Sequence, residues 1–155
     1  MRFEKRRNTA IVRLTTGEMV RGNFFTSAAS ALHAGPERIS DLLNAESGFF
    51  PFEQCGEDDL RTVIYNRAFV VTVAVSPDEP RQDPGYAIAT RRAVSMLLST
   101  GERVAGTIRL NQPEGHNRLS DWAKSRDQFD YLETDASTLL INSAHIIEVS
   151  EIPES

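Results

Sequence analysis

Only one cysteine, Cys55, occurs among the 155 residues. A single thiol excludes an internal disulfide and gives no paired Cys/His spacing for zinc. Histidine is almost as scarce: His33, His116 and His145 are the only three, and their contexts share nothing that suggests a metal or a relay. Long apolar runs are missing. Stretches such as Phe69–Val71 fall far short of the ~18 residues of a membrane span, and the charged start Met1-Arg2-Phe3-Glu4-Lys5-Arg6-Arg7 is not followed by the apolar core of a signal peptide. Positive charge is not in excess either. The 17 Lys and Arg stand against 22 Asp and Glu, a net charge of −5. Such a chain lacks the overall attraction of a duplex-DNA binder. No Gly-x-x-x-x-Gly-Lys, Gly-x-Ser-x-Gly or His-Glu-x-x-His segment is present. The expectation is a cytoplasmic protein without metal or cofactor, not an enzyme, binding neither membrane nor duplex DNA.

What is present is bulk enough for a core. Hydrophobic residues make up 40% of the chain and charged residues 25%, a soluble globular composition of one domain or two very small ones. The charge is uneven. Residues 1–76 hold nine basic and nine acidic side chains, residues 77–155 eight and thirteen. The basic cluster Arg2, Lys5, Arg6 and Arg7 reads as a solvated terminal arm.

The chain also repeats itself. Leu14-Thr15-Thr16-Gly17-Glu18-Met19-Val20-Arg21-Gly22 returns as Leu98-Ser99-Thr100-Gly101-Glu102-Arg103-Val104-Ala105-Gly106. Arg38-Ile39-Ser40-Asp41-Leu42 returns as Arg118-Leu119-Ser120-Asp121-Trp122, and Asn66-Arg67-Ala68-Phe69-Val70-Val71 as Asn142-Ser143-Ala144-His145-Ile146-Ile147. The offsets are 84, 80 and 76 (98 − 14, 118 − 38, 142 − 66), so length changes fall between blocks, where loops tolerate them. The expected division is a basic arm over 1–9, a first β repeat over 10–75, a Pro-rich linker over 76–92, a second β repeat over 93–152 and a tail over 153–155.

Within each copy the apolar period is mostly two, as in Val71, Val73 and Val75, which marks half-buried strands. Gly17 and Gly101 suit tight turns. Gly22 and Gly106 lie inside the second strand, where a bend, bulge or close backbone contact is expected. Ser40 and Ser120 read as N-caps of short helices, with Asp41 and Asp121 at the positive end of each helix. Phe49, Phe50 and Phe52, matched by Phe129, Asp130 and Leu132, form a third strand that is at an edge or bulged at Pro51. The last block is strand, turn, strand.

Two polar groups stand out. Arg38 with Asp41, and Arg118 with Asp121, read as pairs of an arginine with the helix-start carboxylate that pin the loop to the barrel, with a ligand site as the alternative. Tyr65, Asn66 and Arg67 offer stacking, base-edge and phosphate contacts for a single-stranded nucleic acid. Only Asn142 persists in the second copy, and asparagine's tolerance of left-handed turn geometry gives it a hairpin role. His145, in the place of Phe69, reads as a packed residue.

The two strand-glycine-strand blocks and the two strand-turn-strand blocks resemble the Sm-like family, small bent SH3-like barrels of RNA metabolism. Tyr65-Asn66-Arg67 is similar to the RNA-contact turn of its bacterial Hfq branch, and the Arg-x-Ser-Asp-Leu-Leu-Asn block resembles uncharacterised bacterial domains. The resemblance implies a mainly β chain of two tandem Sm-like/SH3-like barrels or half-barrels, each with one short helix. It implies a non-enzymatic assembly module that self-associates as a dimer or small ring through strand edges, with an RNA or protein partner. Single-stranded RNA binding through Tyr65, Asn66, Arg67 and Asn142 is the alternative. Arg2-Phe3-Glu4-Lys5-Arg6 also resembles the Arg-x-x-x-Arg of PilZ-type cyclic di-GMP receptors. Its partner motif fails at Leu140, where glycine is required.

Overall fold

A computed structural model describes residues 5–27, 35–110, 119–125 and 127–153. These residues are mainly β: they form ten antiparallel strands in one open sheet, with three short helices. The first half runs β1 (Lys5–Leu14), β2 (Met19–Ser27), α1 (Ile39–Ala45), β3 (Phe49–Cys55), β4 (Leu60–Asn66), a 3₁₀ turn (Arg67–Phe69) and β5 (Val70–Val75). After α2 (Asp78–Arg81) the second half runs β6 (Thr90–Leu98), β7 (Arg103–Leu110), α3 (Leu119–Ser125), β8 (Phe129–Glu133), β9 (Thr138–Asn142), a 3₁₀ turn (Ser143–His145) and β10 (Ile146–Glu151).

The strand order is β10-β6-β7-β8-β9-β5-β1-β2-β3-β4. Each half therefore has its last strand first, followed by the other four in sequence. The likeness reaches single hydrogen bonds. Thr15 N donates to Phe69 O at 3.0 Å and Ser99 N to His145 O at 2.8 Å; Arg67 N donates to Gly48 O and Ser143 N to Gln128 O, both at 2.8 Å. Both last strands bulge at one position, where the register skips Val71 in β5 and Ile147 in β10. Such coincidences follow from a duplicated sequence folding twice by the same rules. The sheet is nevertheless continuous, because β9 of the second half pairs with β5 of the first.

Local chemistry explains the elements. Gly17 and Gly101 sit at φ +89° and +87° in the β1–β2 and β6–β7 turns, a region that costs other residues about 1–2 kcal/mol. Gly22 and Gly106 mark close backbone crossings: a Cβ on either would collide with the carbonyl oxygen of Glu53 or Glu133 on the neighbouring strand. Pro51 lies in β3 beyond the two residues, Glu53 and Gln54, that pair with β2, so its missing N–H interrupts no β2 ladder.

Three local expectations are revised. β1 starts at Lys5, so Lys5, Arg6 and Arg7 lie on a strand paired with β2, and Arg7 binds Glu53 at 2.9 Å. The Pro-rich segment holds the single turn α2, with Pro80 inside it; proline is tolerated in a first turn, whose N–H groups have no helical partner. β6 starts at Thr90. No described helix is long and apolar enough to cross a membrane.

Two apolar clusters form the core, and each borrows from the other half. Phe129 and Leu140 of the second half belong to the cluster of Val12, Phe24, Leu43, Phe50, Phe52 and Val73. Val71 of the first half belongs to the cluster of Val94, Met96, Leu98, Ile108, Leu132 and Ile141. At about 1.5–3 kcal/mol per fully buried large side chain, these exchanged residues hold the halves together.

Candidate functional site

Two places in the sheet correspond by the repeat, one filled and one open at both sides. The filled place is the joint between β5 and β9, with Thr72 opposite Ile141, Val73 opposite Leu140, Ala74 opposite Leu139 and Val75 opposite Thr138. The open places are the outer edges of β4 and β10, the two ends of the strand order. β4 is the first half's version of β9, and β10 the second half's version of β5.

The joint is apolar at its centre and polar around it. Phe129 and Leu140 are fully buried in the first half's cluster. Asn142 is fully buried as well; its Nδ2 donates to Val70 O at 2.9 Å and Arg67 O at 3.2 Å, and its Oδ1 accepts from Ala144 N at 3.0 Å. Asn44 reaches from α1 to both backbone groups of Phe129, donating to its O at 2.9 Å and accepting from its N at 2.8 Å. Ser40 Oγ lies 2.8 Å from Tyr131 Oη, and Glu79 of α2 accepts from Tyr131 Oη at 3.0 Å and from Ser40 N at 2.9 Å. Burial pushes the Glu79 carboxyl above its usual range, against the hydrogen bonds from Ser40, Tyr131 and Ile39 and the charge of Arg38. Burial likewise raises the Tyr131 phenol.

His145 also belongs to the joint. Its Nε2 lies 2.6 Å from Ala68 O, and a carbonyl only accepts, so Nε2 carries the proton. Nδ1 lies 2.8 Å from Ser99 Oγ. The histidine ties the second half's 3₁₀ turn to that of the first.

The residues singled out for nucleic acid are occupied by the fold. Arg67 is buried, and its guanidinium donates to Phe49 O at 2.7 Å, Leu42 O at 3.1 Å, Leu43 O at 3.2 Å and Ser47 O at 3.5 Å. It closes the C-terminal carbonyls of α1, and burial lowers its pKa. Tyr65 packs 6.1 Å from the Phe50 ring and 5.9 Å from Phe52, with its phenol pKa raised by burial. Asn66 accepts from Ala68 N at 3.0 Å and has φ −87°. It and Asn142 cap 3₁₀ turns and do not take the left-handed conformation. No hairpin forms there, since β4 and β5 lie at opposite ends of their five-strand set.

The capping residues differ in part. The N-cap of α1 is Arg38, and Ser40 lies in the first turn. Asp41 makes the cap by accepting from Arg38 N at 2.9 Å, and its carboxylate also meets the Arg38 guanidinium at 3.5 Å. Ser40 is free for Glu79 and Tyr131 because the Asp41 carboxylate, three residues after the Arg38 cap, serves the helix start instead. In α3, Ser120 is exposed and Asp121 lies in the first turn. Arg118, Arg2, His33 and His116 lie outside the described residues. Among the described residues no group of three or more His, Cys, Asp or Glu is placed to hold a metal ion.

Sequence reasoning missed the open ends. Phe49, 65% exposed, starts β3 beside the outer strand, Ile64, 58% exposed, sits on β4, and Ile147, 63% exposed, sits on β10. Beside β10 lies a groove of about 460 Å³ lined by Leu119, Trp122, Ala123, Ile146, Ile147 and Val149, among others. The signal was available: each exposed residue is apolar in both copies, as Phe129, Leu140 and Val71. Set against known proteins, the chain matches no family model, no curated sequence and no solved structure.

Proposed function

We propose that the protein is a non-enzymatic assembly module, built from two tandem Sm-like/SH3-like units, that associates with itself through the open strands β4 and β10. The observation that carries this reading is the β5–β9 joint, a strand-edge contact between equivalent units inside one chain. Unpaired edges bearing exposed apolar side chains recruit further strands, and both outer edges bear them. The use of Arg67, Asn66 and Asn142 within the fold favours assembly over phosphate contact as the role of the turn.

Light scattering tests the proposal. The native protein is expected to show a multiple of the 17.3 kDa chain mass, and Thr62→Pro, which removes an outward N–H from β4, is expected to reduce it. A native mass of one chain at every concentration overturns the reading. Added oligo-A or oligo-U is expected to leave the mass unchanged; salt-sensitive co-elution would favour the single-stranded RNA alternative.

A further inference from the structure

We propose that Ser99 is a nucleophilic serine, activated by His145, that takes an acyl group from a thioester or an aryl ester. The site goes beyond the assembly reading and leaves it standing: each chain takes up one acyl group and is marked by it.

Three groups line up where the halves meet. Ala68 O of the first half lies 2.6 Å from His145 Nε2, and Ser99 Oγ lies 2.8 Å from His145 Nδ1. The carbonyl only accepts, so Nε2 holds the ring proton; in the neutral imidazole Nδ1 is then an acceptor. An acceptor nitrogen within hydrogen-bond reach of a hydroxyl, with its ring oriented by a third group behind it, is the arrangement that makes a serine nucleophilic. Ser99 is exposed in the turn between β6 and β7, so a donor can reach its Oγ, while His145 is partly buried. Because Ala68 belongs to the first half, the base is oriented only in the joined molecule.

The repeat shows what the fold alone requires. Thr15 corresponds to Ser99 and Phe69 to His145. The same backbone bond closes both turns, from Thr15 N to Phe69 O at 3.0 Å and from Ser99 N to His145 O at 2.8 Å. The first half makes it with a phenylalanine, which offers no base. The contact between Ser99 and His145 is therefore added to a turn that closes without it. The tie between the halves uses only the Nε2 contact with Ala68 O, which leaves the placement of Ser99 Oγ unexplained. The two substitutions together replace a hindered hydroxyl beside a benzene ring with a primary hydroxyl beside an imidazole.

The step balances. Ser99 Oγ attacks the acyl carbon as its proton passes to His145 Nδ1. The Oγ–C bond forms, and the C–S bond of the thioester or the C–O bond of the aryl ester breaks. The proton leaves Nδ1 with the departing thiol or phenol, so the ring returns to its neutral form and Ser99 carries an ester. Nothing is oxidised or reduced.

Labelling of the full chain with p-nitrophenyl acetate, read by peptide mass mapping against time, tests the site. The native protein is expected to gain an acetyl group on Ser99 faster than on Thr15 or the exposed Ser137. Ser99→Ala is expected to lose that label. His145→Phe installs the first half's own residue and keeps the serine; it is expected to slow labelling of Ser99 by about 100-fold, the lower end of general-base assistance. Should this variant lose its native thermal melt, His145→Gln, which keeps a donor for Ala68 O and offers no base, takes its place. Labelling of Ser99 no faster than that of Thr15 or Ser137, labelling confined to lysines or Cys55, or a rate at Ser99 that the loss of the imidazole leaves unchanged overturns the proposal.

Discussion

Asn142 joins Val70 across the middle of the sheet: the asparagine ends β9, its Nδ2 donates to Val70 O at 2.9 Å, and the residue has no exposure to solvent. One side chain thus serves two backbone carbonyls of the other half and caps its own turn. Asn142→Ala is expected to cost about 2 kcal/mol in urea unfolding, since buried groups left unpaired cost about 1–3 kcal/mol. A loss below about 0.5 kcal/mol, the level of a typical surface change, would show that the amide does not bind the halves together.

Arg67 is expected to behave as a structural residue. Its planar fork spans carbonyls from two segments, which an ammonium group cannot reproduce. Arg67→Lys is expected to lower stability by about 1–3 kcal/mol. An unchanged melt for this variant would return the side chain to the pool available for ligand.

The glycines separate two kinds of constraint. Gly17→Ala meets only an unfavourable φ, with open space around the new methyl, and is expected to cost about 1–2 kcal/mol. Gly22→Ala drives a Cβ into Glu53 O and the Phe52 ring and is expected to cost about 3 kcal/mol, near the top of the usual overpacking range. Thermal melts of the pair check the order. The reverse order would mean that β2 and β3 part easily at their crossing.

Glu79 gives the joint a pH signature. Its folded carboxyl titrates above the ordinary glutamate value of about 4.3. The folded state therefore holds the proton more tightly, so this group's contribution favours folding at low pH and declines as pH rises from about 4.3 to the raised folded value. Glu79→Gln keeps an acceptor for Ser40 and Tyr131 without the titration. Relative to that variant, the native melting temperature is expected to fall through this interval and level off above it. A difference that stays flat, or rises with pH, would contradict burial as the dominant influence.

The strands, the short helix of each copy and the turn glycines were legible because each depends on residues near in sequence. Alternating valines mark β5, and Gly22 announces a close crossing wherever its neighbour comes from. The pairing of β5 with β9 was not legible, because edge pairing uses backbone groups every residue carries. Arg67 misled for a related reason. A guanidinium beside a tyrosine and an asparagine suggests phosphate, while the carbonyls that claim it come from α1 and β3, up to 25 residues away. Serine suits a cap, so the sequence points to Ser40 at the helix start; the cap position falls on Arg38, and Asp41 accepts from its N–H from within the first turn.

Amide hydrogen exchange on the native protein tests edge assembly most directly. At high concentration the outward N–H groups of β4 and of β10 should both be protected, and both should lose protection together on dilution while β5 and β9 stay protected. Fast exchange at both outer strands at every concentration, or protection of one with the other free, would contradict the account.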